Sequence, residues 1–181
     1  KKENRLLTLY ANYNKLVESI KSSFDVTAGY DYQYWKSTTP LYSEMNTLGE
    51  IQKTSKASDE RHVLLSYYGR LNYSFNSRYM LTTTVRRDAT SRFAKNVRWG
   101  TFPSVALGWR VTEESFLKDN KVISTLKVRA SYGVTGQQDG IGNYNYLPIY
   151  TISQSGAGSL IGGTPTPTYR PKAYVPNLKW E

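Results

Sequence analysis

The chain has 181 residues, of which 39% are hydrophobic and 21% charged, and these ordinary values exclude a disordered polypeptide. It contains no cysteine, which excludes a disulfide framework, a thiolate nucleophile and a cysteine-based zinc site. The formal net charge of +10 is spread along every segment, so the sequence lacks the clustered basic patch expected of a nucleic-acid-binding protein.

The first part of the chain predicts two strands. Residues 1–5 carry charges but neither an initiating Met nor the apolar stretch of a signal peptide, so we interpret the start as an internal cut. Residues 6–16 predict a less regular first strand. In residues 25–34 apolar and polar side chains alternate, which predicts a strand with one apolar face that consists of Val26, Ala28, Tyr30, Tyr32 and Tyr34.

The same alternation returns further along the chain and predicts neighbouring antiparallel strands. The segments concerned are residues 65–75, 79–88, 99–111 and 126–135, with residues 178–181 as the opening of a seventh strand. Asn76, Ser77 and Arg78 predict a tight turn between two of them. About six strands are therefore expected, in up-and-down order.

The predicted connections differ in length in an ordered way. They are short at residues 17–21 and 76–78, intermediate at 91–98, and long at 37–60 and 138–176. Transmembrane barrels show this asymmetry, with short periplasmic turns and long external loops. The connection at residues 112–125 is longer than that rule favours, and we expect one helical turn from Glu113 to Leu117.

Alternation alone does not decide whether the apolar face contacts lipid or a protein core. Several predicted strands reach about ten residues, the length of membrane strands, whereas soluble strands usually have about 5–6. The 16 Tyr and 4 Trp against 5 Phe suit a surface between lipid and water. Two interpretations stay open at this point: part of a transmembrane β-barrel, or a soluble β-sandwich, such as a carbohydrate-binding module.

Four motifs resemble the C-terminal barrel region of the SusC/RagA family of TonB-dependent outer-membrane transporters. They cover about two-thirds of the chain and read YYGRLNYSFNSRYMLTTTVRRDATSRF (67–93), RWGTFPSVALGWRVTEESFL (98–117), LKVRASYGVTGQQDGIGNYNYL (126–147) and PNLKWE (176–181). Residues 1–61 resemble the preceding strands only loosely. Ala89 departs from the pattern, because the family commonly has glycine after RRD.

The resemblance implies an all-β fold of antiparallel up-and-down strands that form part of a transmembrane β-barrel. Residues 1–181 would be one partial barrel, with the plug domain and the remaining strands absent. The resemblance further implies import of oligosaccharides or peptides across the outer membrane of a Gram-negative bacterium. The implied partners are outer-membrane lipid, a SusD-like surface lipoprotein and TonB, the last through the missing N-terminal region.

Candidate ligand-contact residues are aromatic or basic. Rings at predicted strand ends or in loops could stack on ligands, although an interfacial girdle is the commoner role; these are Trp35, Trp99, Tyr144, Tyr146 and Tyr150. Basic residues on the predicted polar faces could favour polar or anionic ligands, or be ion-paired wall residues; these are Arg70, Arg86 and Arg129.

The sequence predicts no enzyme, no cofactor and no metal site. No nucleophile with a base and no pair of carboxylates occurs at a suggestive spacing. We expect His62, the only histidine, to have a surface role where a loop enters a strand. Asp88 beside Arg86 and Arg87 is expected at a strand end, as an exposed or interloop ion pair.

Overall fold

The computed structural model describes residues 1–117, 122–152 and 158–181. In these residues the regular structure consists of twelve β-strands and two short 3₁₀ turns, at Glu18–Ile20 and Val111–Glu113. The strands are β1 (Lys2–Val17), β2 (Ser22–Thr39), β3 (Tyr42–Met45), β4 (Ile51–Ser55), β5 (Ser58–Phe75), β6 (Tyr79–Thr90), β7 (Trp99–Arg110), β8 (Lys127–Gly133), β9 (Tyr150–Ile152), β10 (Gly158–Ile161), β11 (Thr164–Pro167) and β12 (Tyr169–Pro171). Across the described ranges, no helix combines the length and apolarity needed to cross a membrane.

The six long strands form one antiparallel sheet in the order β1-β2-β5-β6-β7-β8. Three small two-stranded sheets extend from its loops and pair β3 with β4, β10 with β11 and β9 with β12. The prediction of an all-β fold with antiparallel up-and-down strands is confirmed. Strands of up to 18 residues in β2 and β5 exceed the usual length in soluble proteins.

The connections define two different ends of the sheet. The end that holds residues 18–21, 76–78 and 111–126 is called the turn end, and the end that holds residues 40–57, 91–98 and 134–181 is called the loop end. At the turn end, Asn76 and Ser77 have φ values of 49° and 56°, and the Arg78 N–H donates to the Phe75 carbonyl. Two successive positive φ values are those of a type I′ turn, whose twist matches a hairpin.

The register gives the sheet two chemically different faces. Leu9 lies opposite Tyr30, and Tyr30 lies opposite Tyr67, so alternate residues of neighbouring strands form one apolar face. Leu9 is 57% exposed on this face and Leu107 is 58% exposed, since no second layer of the described residues covers it. The opposite, polar face holds Ser, Thr, Asn, Asp and Arg side chains. A sheet of this kind has no central core of its own.

Two strands extend further than the sequence analysis predicted. β2 continues to Thr39 and β5 begins at Ser58, so both strands reach into the predicted long connection at residues 37–60. What remains of that connection contains the β3–β4 hairpin, which was not predicted. In residues 37–39 and 58–60, polar residues do not alternate with apolar ones, so the sequence carries no strand signal there. Backbone pairing between β2 and β5 extends the sheet through these residues. The predicted loop at residues 138–176 likewise contains short paired strands, and residues 153–157 lie outside the described ranges.

Two predictions about short elements are wrong. Residues 178–181 form no strand; their backbone is tied to the sheet region by one hydrogen bond, from Gln137 N–H to the Glu181 carbonyl at 2.9 Å. The expected helical turn from Glu113 to Leu117 is replaced by the 3₁₀ turn Val111–Glu113 and a separate turn closed by Leu117 N–H and the Glu114 carbonyl. Residues 118–121 of this connection are outside the described ranges.

Candidate ligand-contact surface

Arg86 is the centre of a polar cluster on the polar face. Its Nε donates to Asp88 Oδ1 at 2.9 Å and to Oδ2 at 3.1 Å, and its Nη2 donates to Ser66 Oγ at 2.9 Å. A further ion pair joins Arg86 Nη2 to Asp31 Oδ2 at 3.6 Å. One guanidinium thus connects side chains of β2, β5 and β6, because alternate residues of adjacent strands share a face.

Tyr68 completes this Arg86 cluster and depends on a glycine opposite it. The Arg86 guanidinium carbon lies 5.8 Å from the centroid of the Tyr68 ring, within the range of a cation–π contact. Gly29 is the register partner of Tyr68, and a Cβ at Gly29 would lie 2.3 Å from Tyr68 Cζ. The ring therefore lies directly over the glycine, and any side chain there would displace it.

The prediction of an exposed Asp88 at a strand end is wrong. Asp88 lies within β6, is 9% exposed and pairs with Arg86 of the same strand. Residues two apart in a strand point to the same face, which brings their side chains together. Arg87 between them lies on the apolar face, where its guanidinium carbon is 5.1 Å from the centroid of the Trp99 ring.

The three arginines predicted as lumen candidates share the polar face. Arg86 is ion-paired, whereas Arg70 forms no ion pair with any described residue and is exposed. Arg129 lies exposed on β8, where it lines a cleft of about 460 Å³ together with Asp25 and Lys127. Their shared face agrees with the sequence analysis, and their role in ligand binding stays a prediction.

His62 stacks on Trp35 near the loop end of the polar face. The ring centroids are 4.3 Å apart and the planes differ by 11°. The expectation that His62 lies where a loop enters a strand is wrong, because β5 begins at Ser58 and His62 is a half-buried residue within it.

A cleft of about 470 Å³ lies beside this stacked pair. Its walls include Trp35, His62, Glu60, Arg92 and Asn143. Asn143 Nδ2 donates to Glu60 Oε2 at 3.3 Å, and Arg92 Nε donates to Asn143 Oδ1 at 3.2 Å. These bonds attach two loops to the end of β5, so the cleft is lined by polar side chains as well as by the stacked rings.

The aromatic residues predicted to contact ligand lie in different regions of the structure. Tyr144 lies in the loop, where its OH accepts from the Arg61 N–H at 3.2 Å. Tyr146 is half-buried in the same loop, and Tyr150 is exposed in β9. Trp99 lies on the apolar face and stacks on Tyr67 with ring centroids 6.0 Å apart, as a girdle residue would.

Three aromatic rings that the sequence does not predict to meet form a cluster at the loop end, here called the aromatic knot: Phe93, Phe102 and Trp180. Phe93 is fully buried, and the Trp180 ring meets Phe93 and Phe102 edge-on at centroid distances of 5.4 and 5.2 Å. Trp180 Nε1 donates to the Arg98 carbonyl at 2.9 Å. No spacing rule connects residues this far apart in the chain, so only the fold reveals the contact.

At the turn end, Glu114 links the connection at residues 111–126 to the border of the apolar face through hydrogen bonds. Its carboxylate accepts from Tyr79 OH at 2.6 Å, from Trp109 Nε1 at 3.1 Å and from Arg78 Nη1 at 3.2 Å. The hydrogen bonds from Tyr79 and Trp109, with the nearby Arg78 charge, hold the pKa of Glu114 below its ordinary value.

The turn-end connection is expected to loosen in acid. A depressed folded-state pKa means that the Glu114 contribution is complete above the ordinary carboxyl pKa of 4.5 and is lost as the pH falls through the lowered value. Amide exchange at Leu117, whose N–H donates to the Glu114 carbonyl, should therefore be faster at low pH after correction for intrinsic exchange. Glu114→Gln should expose this amide already at neutral pH, whereas Glu113→Gln should not. Equal protection at both pH values would contradict the assignment.

Within the part of the chain that the structure describes, no group of three or more His, Asp or Glu side chains is arranged to hold a metal ion. The chemistry of the polar face is instead that of hydrogen bonds, ion pairs and exposed cations.

Long antiparallel strands with one uncovered apolar face and one charged face define the wall of a transmembrane β-barrel. The chain belongs to the family described as TonB dependent receptor-like, beta-barrel, whose model matches residues 2–181. This match confirms both the resemblance to SusC/RagA-type receptors and the expectation that the chain is not an enzyme.

Relatives and solved structures agree with this family. The chain is 43% identical over 185 residues to TonB-dependent receptor SusC of Bacteroides thetaiotaomicron, a match that covers 94% of this chain and 18% of that protein. It is 40% identical over 192 residues to TonB-dependent receptor P3 of Formosa agariphila, covering 98% and 18%. The fold matches the RagAB peptide importer in its open-open state with a TM-score of 0.80 at 23% identity, covering 99% and 20%. The chain thus spans about a fifth of the length of these proteins.

Proposed function

We propose that the chain forms six neighbouring wall strands of a larger TonB-dependent transporter in the outer membrane of a Gram-negative bacterium. The plug domain and the remaining wall strands of that transporter lie outside residues 1–181. The single observation that carries the proposal is the two-faced sheet, with an uncovered apolar face for lipid and a polar face for a wet lumen.

The ends of the sheet are assigned by their connections. The turn end faces the periplasm and the loop end faces the exterior, since barrels carry short periplasmic turns and longer external loops. A ligand would enter past the loop that holds Tyr144 and Tyr146 and then pass along the polar face. There the exposed Arg70 and Arg129 would meet it, while the ion-paired Arg86 serves mainly to hold the wall together.

The ligand is proposed to be an oligosaccharide or a peptide, captured together with a SusD-like surface lipoprotein. Support comes from the likeness to SusC at 43% identity and from the shared fold with the RagAB peptide transporter. Energy would be supplied through TonB, contacted by a region that precedes these residues. The mixed aromatic and polar lining of the cleft beside Trp35 suits the apolar and polar groups of either ligand class.

Uptake in living cells tests this function. Deletion of the gene for the full-length protein should abolish uptake of labelled oligosaccharides or peptides, and complementation should restore it. The isolated 181-residue chain should not restore it, because its two open sheet edges cannot be satisfied in lipid. Changing both Tyr144 and Tyr146 to Ala should weaken ligand binding in the full-length protein while the barrel stays folded. Unchanged uptake in the deletion strain would refute the proposal.

The soluble β-sandwich is the weaker alternative. A sandwich buries the apolar face of one sheet against a second sheet, but the described residues form a single large sheet with that face open. A compact, detergent-free monomer in solution would favour the sandwich.

A further inference from the structure

Two arginines lie against aromatic rings near the loop end of the apolar face. The Arg87 guanidinium carbon is 5.1 Å from the centroid of the Trp99 ring, and that of Arg5 is 5.7 Å from the Tyr34 ring. Both arginines are exposed, and no described carboxylate lies within ion-pair distance of Arg87. Cationic groups therefore lie above aromatic rings at the border of a surface that is otherwise apolar.

Two further cations extend this border, and we call the four residues Arg5, Lys36, Arg61 and Arg87 the loop-end rim. Lys36 and Arg61 are register partners on β2 and β5 and share one carboxylate, that of Asp59. Arg5 pairs with Glu3 of its own strand. The four cations have two carboxylate partners, Glu3 and Asp59, which leaves the loop-end rim with an excess of positive charge.

Arg5 and Arg87 fit one depth in a tilted sheet, whereas Lys36 and Arg61, in register with Glu3, lie further toward the loop end. Arg87 is in register with Leu9, so it lies four residues, or about 13 Å, closer to the turn end than Arg5 does. Three strand spacings of about 4.8 Å separate β1 from β6. When strands are tilted by about 45°, residues of β1 and β6 at the same depth in the membrane are displaced by about 14 Å along the strand direction. The offset between Arg5 and Arg87 is therefore of the size that barrel tilt produces.

At the opposite border of the same face the arginine is paired, since Arg78 Nη1 lies 3.2 Å from Glu114 Oε2. There the aromatic residues Tyr79 and Trp109 donate their hydrogen bonds to a carboxylate, that of Glu114. A general girdle of amphipathic rings explains the aromatic residues at both borders. It does not explain why Arg87 at the loop end has no carboxylate partner among the described residues, whereas Arg78 at the turn end pairs with Glu114.

We propose that the loop-end rim binds the phosphate groups of an anionic lipid whose acyl chains lie along the apolar face. Arginine suits this role, because its planar fork bonds two phosphate oxygens at once and its stem can lie along apolar surface while the head reaches the polar border. Phosphates would neutralise the excess positive charge that Glu3 and Asp59 leave. The inference rests on the proposed function in one respect, the placement of the apolar face in the outer membrane.

Native mass spectrometry of the full-length protein tests this assignment. The protein is equilibrated in detergent with equal amounts of phosphatidylglycerol and phosphatidylcholine, and the bound lipids are counted. Since one arginine near a charged membrane surface contributes about fivefold in affinity, Arg87→Gln should lower phosphatidylglycerol retention about fivefold and the double variant Arg5→Gln/Arg87→Gln about thirtyfold. Phosphatidylcholine retention should not change.

Matched variants keep the result interpretable. Arg70→Gln removes an exposed arginine from the polar face of β5 and should leave phosphatidylglycerol retention unchanged. Arg5→Lys/Arg87→Lys keeps the charge and should retain most of the lipid. Folding of each variant is checked by heat-modifiable migration on gels, and the single Arg87→Gln variant decides the matter if the double variant does not fold.

Two outcomes would overturn the inference: wild-type retention in a folded Arg87→Gln protein, or an equal loss in Arg70→Gln. Uptake is measured separately in the same strains. Normal phosphatidylglycerol retention without uptake would refute the proposed function and leave the lipid site standing, whereas normal uptake without selective retention would do the reverse.

Discussion

Replacing Arg86 by Met is expected to lower the free energy of unfolding of the full-length protein by about 2–3 kcal/mol. The change leaves the carboxylates of Asp31 and Asp88 on the polar face without their cation, and it removes the donor to the fully buried Ser66. Loss of a fully buried pair costs more, but Arg86 is 37% exposed and water screens part of the loss. Urea unfolding of the purified protein in detergent measures the change.

Two variants separate the loss of this cluster from general effects. Arg70→Met removes an exposed arginine from the same face, one that forms no ion pair with a described residue, and should change the stability by about 0.5 kcal/mol or less. Arg86→Met/Asp88→Asn removes cation and carboxylate together and should recover part of the loss. An Arg86→Met protein as stable as Arg70→Met would show that the cluster contributes nothing.

Replacing Phe93 by Ala is expected to cost about 3–5 kcal/mol in the stability of the loop end. Phe93 is fully buried in the aromatic knot, where its ring meets the Trp180 ring edge-on. Without it, Trp180 loses one of its two aromatic partners and the connection at residues 91–98 loses its only fully buried apolar side chain among the described residues. Amide exchange at Val97, whose N–H donates to the Ala94 carbonyl, should rise steeply.

Phe116 provides the matched control. It is 69% exposed in the turn-end connection, so Phe116→Ala removes the same ring without opening a cavity. Its effect should stay within about 0.5 kcal/mol. Similar exchange in the two variants would mean that the aromatic knot does not hold the loop end together.

The faces of the sheet could be predicted from the sequence because they depend only on local alternation. The alternation in residues 25–34 predicts that Tyr30 lies on an apolar face, and the register places Tyr67 of the next long strand opposite it. The same rule assigns Arg86 and Arg129 to the polar face. The number and order of the six long strands follow from the same periodicity, since short turns force antiparallel neighbours.

The contacts that hold the two ends of the sheet together could not be predicted, because they join distant segments. Nothing in the residues around Phe93 indicates Trp180 as a partner, and nothing near Glu114 indicates Tyr79. The start of β5 at Ser58 was also missed, because its first residues carry charges and are held by backbone pairing with β2. His62 and Asp88 were misplaced for related reasons: their burial depends on neighbours across the sheet.

The hairpin turn at residues 76–78 also determines which residues of β6 lie on each face of the sheet. In β6 and β7, odd positions lie on the apolar face and even positions on the polar face, so one inserted residue within β6 would move every later side chain of that strand to the other face. Arg86 and Asp88 would then lie on the apolar face, and Val85 on the polar face. Two inserted residues would return the later side chains to their original faces. Variation in length is consequently compatible with the connections, where an added residue leaves the pairing of the flanking strands unchanged, and hardly with the paired strands themselves.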